Sequence, residues 1–286
     1  MKRSTQIIHS IILFLLLDDF IAAISLKIPI LKKFIPGNSR YKKGNIKRIK
    51  RNGITYELEV SDYMQWHIYA GIKEPLWTES FKYIRPGTVV IDVGANVGAF
   101  SLRCAAYVRK ARLNSRIFSF EPNPEVYKKL CFNLNLNPVI DDFISPQELA
   151  LCDKKDIWSF DANEFNSGAG KLTTRGDSYS VISTTLDSFI EENEIKPITL
   201  IKIDVEGFEP LVLKGGFQTI ALYRPVLILE ITDQWFQIHG SSEAMVRNDL
   251  MRMGYNLFID SGEGLRELRD QDKSSDFQYN LMALPF

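Results

Sequence analysis

Three short apolar runs in this chain each end on residues that could do chemistry. One is followed by Asp92-Val93-Gly94-Ala95-Asn96-Val97-Gly98, a second by Glu121-Pro122-Asn123-Pro124, and a third by Asp204-Val205-Glu206-Gly207. A pair of carboxylates two residues apart, Asp204 and Glu206, is open to three readings. They could take a proton as a general base, hold a divalent cation, or serve structure, with Asp204 capping a helix that starts near Glu209. An acid such as Glu121, 23 positions after Gly98, is placed to accept both hydroxyls of a ribose. Two histidines, His67 and His239, are the other base candidates, and a lone histidine is more often simply a surface or core residue.

Such residues work together only if the fold brings them to one place. Val89 to Val93 reads as a buried strand broken by Gly94 and Gly98, and Phe100 to Arg112 turns to helical spacing. Strand, glycine turn and helix open an α/β nucleotide-binding unit. Gly94 lets the chain leave the strand with positive φ, and Gly98 lets the helix start pack closely. Further strands are predicted at Arg116 to Phe120, within Asp142 to Leu151 (ending Ala150-Leu151-Cys152-Asp153), at Thr199 to Asp204 and at Arg224 to Thr232. In an open parallel sheet ligands sit outside the carboxyl ends of the strands, so Gly94, Glu121, Asp204, Glu206 and Glu230 face one crevice. Asp204 and Glu206, two apart on an extended chain, can project to one side of it. Asn256 to Asp260 and Phe277 to Leu284 read as late strands, the second inserted antiparallel.

Two cofactors suit such a loop. A dinucleotide wants G-x-G-x-x-G, so that bare backbone meets the pyrophosphate at a helix N-terminus. Here Asn96 stands where the middle glycine should be, and no third glycine follows at the right distance. S-adenosylmethionine has no phosphate; Asp92 and Asn96 suit the ammonium and carboxylate of its methionine part. A ligand-free loop is the plain alternative, and Glu121 alone does not separate the cofactors, since NAD enzymes use the same ribose contact.

The motifs DVGANVG, FEPNP and KIDVEGFE, in this order, resemble those of the FkbM-type S-adenosylmethionine-dependent methyltransferases. The resemblance runs from about Glu74 to the C-terminus, and Asn96 agrees with that family's loop. It implies a Rossmann-like class I methyltransferase fold. That is a seven-stranded, mostly parallel sheet with an antiparallel last strand and helices on both faces. It also implies cofactor contacts from Glu74 (in Glu74-Pro75), Asp92, Gly94, Asn96, Gly98, Glu121, Asn123 and Ala150, the last beside the adenine. Glu74 reads equally well as a helix-start glutamate next to a proline.

The rest of the chain frames that unit. Formal net charge is zero, with 45% hydrophobic and 24% charged residues, which supports a sizeable core and gives no global case for nucleic acid. Residues 1–56 carry twelve Lys/Arg against Asp18 and Asp19, leaving 23 basic against 33 acidic residues in the body. We divide the chain into a helical basic arm (1–45), a hairpin and helical lead-in (46–87) and a methyltransferase domain (88–286). Ile7 to Leu17 is apolar but too short to span a bilayer. A helix packed on the domain, an interfacial helix on an anionic inner leaflet, and a secretion signal all fit the arm. A cytoplasmic cofactor argues against the last. Asn52-Gly53 marks the hairpin within Ile46 to Val60, and residues 61–84 read as helical. Between Ile157 and Thr184, two strands flank a Gly/Ser/Thr loop (Phe165 to Arg175, with Asn166-Ser167-Gly168) that could be a substrate lid or merely structural. Cys104, Cys131 and Cys152 are odd in number and widely spaced, as free thiols in a reducing compartment would be.

The expected reaction is methyl transfer from S-adenosylmethionine to an oxygen nucleophile, with Asp204 and Glu206 catalytic and no transition-metal cluster of His and Cys. The family resemblance points to a sugar hydroxyl on a glycan or a natural product. An N-methyltransferase of the same fold, a non-catalytic nucleotide-binding scaffold and an NAD-dependent reductase are the rivals. The enzyme is expected in the cytoplasm, with peripheral contact to the inner membrane through the arm.

Overall fold

A computed structural model describes residues 6–7, 10, 17–25, 27–161, 171–173, 179–269, 272 and 278–286. Its centre is a sheet laid down by the apolar runs: β3 (Val89–Val93), β4 (Arg116–Phe120), β5 (Ile144–Gln147), β10 (Ile198–Ile203), β11 (Val226–Ile231), β12 (Tyr255–Asp260), a short β13 (Leu265–Glu267) and β14 (Tyr279–Pro285). They order as β13-β12-β14-β11-β10-β3-β4-β5. The neighbours from β11 to β5 pair in parallel, while β14 runs antiparallel between β11 and β12. This is the expected seven-stranded arrangement, with β13 added at one edge. All five residues of β3 are buried, as a central strand covered on both faces requires.

Helices cover the two faces: α4 (Ala99–Ala111) and α5 (Pro124–Asn135) share one apolar cluster, and α6 (Leu186–Glu192), α7 (Glu209–Gly215) and α8 (Phe217–Tyr223) belong to the other. Phe100, Leu102 and Leu130 meet Val90 and Ile117 on the first face; Ile190, Val212 and Ile220 meet Ile91 and Ile203 on the second. α9 (Asp233–Ile238) and α10 (Glu243–Arg252) follow β11, the latter capped by Ser242.

The lead-in joins the first cluster. β1 (Ile46–Arg51) and β2 (Ile54–Glu59) pair around Asn52 and Gly53, both with positive φ, as a tight hairpin turn needs. The outer edge of β2 is closed by side chains: Thr55 N–H donates to Asn137 Oδ1 and Glu57 N–H to Asn133 Oδ1. The predicted helical stretch 61–84 breaks at residues 71–74 into α2 (Tyr63–Ala70) and α3 (Pro75–Ser80), because Gly71 is left-handed and Pro75 starts a new helix. In the arm, α1 (Asp18–Ile24) packs Ala22 into the core and buries Asp18 against Lys47. Most of the apolar stretch Ile7 to Leu17 lies outside the described residues. Among those described, no helix is long and apolar enough to cross a membrane.

A second, four-stranded sheet orders β6 (Ala150–Leu151), β9 (Tyr179–Thr184), β7 (Asp156–Asp161) and β8 (Lys171–Thr173). Two expectations change here. The third parallel strand ends at Gln147, and Ala150-Leu151 instead starts this second sheet by pairing with Ser183 and Thr184. Lys171–Thr173 is a strand inside the stretch expected to be loop; Asn166-Ser167-Gly168 lies outside the described residues. Cys104, Cys131 and Cys152 are free thiols.

Candidate active site

The parallel strand ends are stitched together by backbone. Gly94 and Ala95 N–H donate to Phe120 O, Asp204 N–H to Val93 O, and Glu121 N–H to Gln147 O. Gly94 has φ +80°, and a Cβ there would lie 1.8 Å from Asp204 O, so only glycine lets the two loops meet. Asn96 is also left-handed, at φ +49°, and its Oδ1 accepts from Val97 N–H. Asparagine tolerates this backbone better than most residues, which accounts for its presence in place of a glycine.

A cavity of about 700 Å³ opens over these ends, large enough for a cofactor and part of a second substrate. Glu74, Gly94, Asn96, Glu121, Ala150, Asp204 and Glu206 line it. Asp92, Gly98 and Asn123 do not. Asp92 is fully buried beneath the loop, accepting from Ser101 Oγ at 2.5 Å, so its expected contact with an amino-acid end is replaced by a supporting role. A Cβ on Gly98 would lie 2.8 Å from Leu130 Cδ1; this glycine serves close helix packing. Asn123 caps α5 by accepting from Glu125 and Val126 N–H.

Glu121 accepts from Asn96 N–H through Oε2 and from Asn123 N–H through Oε1. Burial pushes its carboxyl up to about 7, against those two hydrogen bonds. Each oxygen keeps a further lone pair for a ligand hydroxyl. Glu74 precedes Pro75 at the start of α3 but caps nothing; burial, then Asp204, raises its pKa.

The turn after β10 is not extended. Glu206 is left-handed at φ +55°, and Gly207 at φ +102° lies against Trp235. Buried Glu209 pins this turn, accepting from Val205 N–H at 2.8 Å and Gly207 N–H at 2.9 Å. Asp204 does not cap the helix that follows, since the N-cap is Phe208 without a side-chain bond. The turn nevertheless brings Asp204 and Glu206 together with Glu230 of β11, carboxylate oxygens all within 4.8 Å. These three are the described residues with a geometry that could hold a cation. Burial, then the charge of Asp204 and Glu206, raises the Glu230 carboxyl well above its usual range.

Lys202, missing from the expectations drawn from sequence, lies between the acids of the site. It is 3% exposed, one residue from the end of β10, 3.1 Å from Asp204 Oδ2 and 3.5 Å from Asp92 Oδ1, and it donates to Gly94 O. Burial opposes its charge, but Asp204 and Asp92 outweigh that and raise its pKa. A single lysine in an otherwise apolar central strand is itself a signal, because a buried ammonium must be paired.

The lead-in supplies more of the cavity wall, through His67, Arg51 and Lys73 among others. The His67 ring lies tilted against Tyr63 with centroids 4.4 Å apart, and burial lowers its pKa. His239 does not line the cavity; its ring lies tilted against Phe208 with centroids 4.1 Å apart. No described residue of β7, β8 or β9 lines it either, and Trp158 approaches only through the edge of Phe208.

Comparison with known proteins bears on this cavity. A family model described as the methyltransferase FkbM domain matches residues 92–257. Hexuronic acid methyltransferase AglP of Haloferax volcanii is 30% identical over 128 residues, 44% of this chain and 49% of that protein. A human tRNA (guanine(37)-N(1))-methyltransferase is 33% identical over 92 residues, 32% of this chain and 16% of its own. 2-O-methyltransferase NoeI of Sinorhizobium fredii is 27% identical over 190 residues, 57% of this chain and 74% of NoeI. The chain thus spans about half of AglP and a sixth of the tRNA enzyme. The crystal structure of methyltransferase FkbM from Methylobacillus flagellatus superposes with a TM-score of 0.46 at 16% identity, covering 77% of this chain and 52% of that one.

Proposed function

This chain belongs to the FkbM methyltransferase domain family, and on that premise we propose that it moves a methyl group from S-adenosylmethionine to a hydroxyl of a sugar, on a glycan or a natural product. The observation that carries this reading is a single cavity that joins a cofactor cradle to a pair of acids. Gly94 and Glu121 lie at one pair of strand ends, and Asp204 and Glu206 at the next. One feature fits the cofactor: a buried carboxylate at Glu121 with lone pairs left for a diol.

When bound, the cofactor supplies a methyl group already activated on a sulfonium. The protein's own part is positioning and proton removal. Lys202 aims Asp204 by its ion pair. Asp204 then takes the proton of the acceptor hydroxyl as the oxygen attacks. Glu206, beside it, accepts a hydrogen bond that orients the acceptor. Asp92 acts through Lys202 as a positioning residue.

Support for a sugar comes from the names of two relatives, a hexuronic acid methyltransferase and a 2-O-methyltransferase. The tRNA enzyme is matched over a small fraction of its length, and this chain's net charge of zero lacks the basic excess that nucleic acid calls for. Calorimetric titration with S-adenosylhomocysteine and, separately, NAD tests the reading. Binding of the former alone is expected; binding of NAD alone overturns it, and binding of neither leaves a scaffold.

The arm carries a second reading. Phe20 and Ile30 are each 65% exposed in a stretch that holds Lys27 and no acid after Asp19. These residues suit the interface of an anionic membrane.

A further inference from the structure

Arg51, the last residue of β1, is 4% exposed and lines the cavity. Its Nε and Nη2 donate to the carbonyls of Ile68 and Tyr69, at the C-terminal end of α2. Lys32 donates to the carbonyl of Gly71, just past that end, and Lys73 follows on the same wall. Part of this arrangement is structural, because cations suit the negative end of a helix. The helix end does not account for all of it. Arg51 Nη1 is buried and has no hydrogen-bond partner, and no described carboxylate forms an ion pair with Lys32, Arg51 or Lys73. Lys32 is lowered in pKa by burial, then by the charges of Lys73 and Arg51. A buried guanidinium N–H with nothing to bond is costly, and burial lowers the Arg51 pKa.

The acids of the cavity form a separate group. Asp204 and Glu206 come within 4.8 Å of Glu230 through their carboxylate oxygens, and Asp204 pairs with Lys202. The cavity therefore has an acidic end, where a proton can be taken, and a cationic corner with an unused donor.

We propose that this corner is an oxyanion subsite, and that the methyl acceptor carries a carboxylate or a phosphate ester bound by Arg51 Nη1 and Lys73. This rests on the reading of the cavity as a methyl-acceptor site. A planar guanidinium with an unbonded Nη1 in a desolvated corner favours a trigonal or tetrahedral oxyanion over a neutral hydroxyl, which gains no charge-assisted bond there. The subsite selects the acceptor; it takes no part in methyl transfer.

The test uses the full chain saturated with S-adenosylhomocysteine and three probes: glucuronate, glucose 6-phosphate and glucose, followed by calorimetry. At least one anionic sugar should bind about tenfold or more tightly than glucose, and which one does so tells carboxylate from phosphate. Arg51→Gln should remove most of that advantage while leaving S-adenosylhomocysteine affinity unchanged. Lys73 is exposed, so Lys73→Met should fold normally and lower the advantage several-fold. The proposal is overturned if glucose binds as well as both anions, if none of the three binds, or if both variants keep the full advantage. Loss of S-adenosylhomocysteine affinity in Arg51→Gln also overturns it, by assigning the corner to the cofactor's carboxylate. Failure of the wild-type chain to bind S-adenosylhomocysteine at all would be the separate failure of the methyltransferase reading.

Discussion

Lys202 Nζ stands 3.1 Å from Asp204 Oδ2, one residue from the end of a buried strand and at the floor of the cavity. This pairing holds the Asp204 side chain in one place. Asp204→Asn keeps the shape but accepts no proton. Turnover should fall by about 10²–10⁴, with S-adenosylhomocysteine affinity changed only a few-fold. Turnover at the wild-type rate would remove Asp204 from the base role.

Lys202 is also the counter-ion of Asp92, which is fully buried. Lys202→Met should destabilise the chain by about 3–5 kcal/mol, because an unpaired carboxylate remains in the core. Adding Asp92→Asn should recover a good part of the loss. Thermal unfolding of the single and double variants checks this, and additive losses would show that the two groups are not coupled.

Glu121 makes stability and binding depend on pH in opposite senses. Its carboxyl titrates at about 7 in the folded chain against 4.5 for the ordinary group. The folded state holds a proton that the unfolded state releases between those values. The stability contributed by this group is therefore complete below about 4.5 and is lost as pH rises through about 7. Replacing it by Gln should raise the unfolding temperature relative to wild type at pH 8 more than at pH 5.

Ribose hydroxyls donating to Glu121 would favour its ionised form, so S-adenosylhomocysteine should bind more tightly as pH rises through 7 and release a proton. Glu121→Ala should weaken binding by about 1–3 kcal/mol and abolish the proton release. Calorimetry in two buffers of different ionisation enthalpy measures both.

Gly94→Ala should be far worse than its size suggests. The new Cβ would sit 1.8 Å from Asp204 O on a backbone at φ +80°, so the loops after β3 and β10 must part. The expected result is loss of S-adenosylhomocysteine binding with a drop in unfolding temperature. Normal binding would mean that the two loops are not in contact when the cofactor is present.

For the arm, co-sedimentation with phosphatidylglycerol vesicles but not phosphatidylcholine vesicles is expected, weakened by Phe20→Ser together with Ile30→Ser. Equal recovery with both lipids, or with neither, would count against a membrane contact.

Much of this molecule was legible from residue order alone. Apolar runs of five or six residues can only be central strands when acids and glycines follow them directly. Asn52-Gly53 announces its hairpin, and an acid at the end of the second strand announces Glu121. These are local properties, decided by backbone sterics and by which side chains can be buried. Contacts between distant segments were not legible. Asp92 and Asp204 look alike in the sequence, each an acid at a strand end. Only the sheet order, which sets β10 beside β3, buries the first under Lys202 and leaves the second on the cavity. The turn at Glu206, pinned by Glu209, replaces the extended chain assumed from spacing. Arg51 reads as one more cation of a basic arm until the hairpin folds back and buries it on the cavity wall. Burial turns the same charge from a solvated surface feature into one that demands a partner, and burial is a property of the tertiary structure alone.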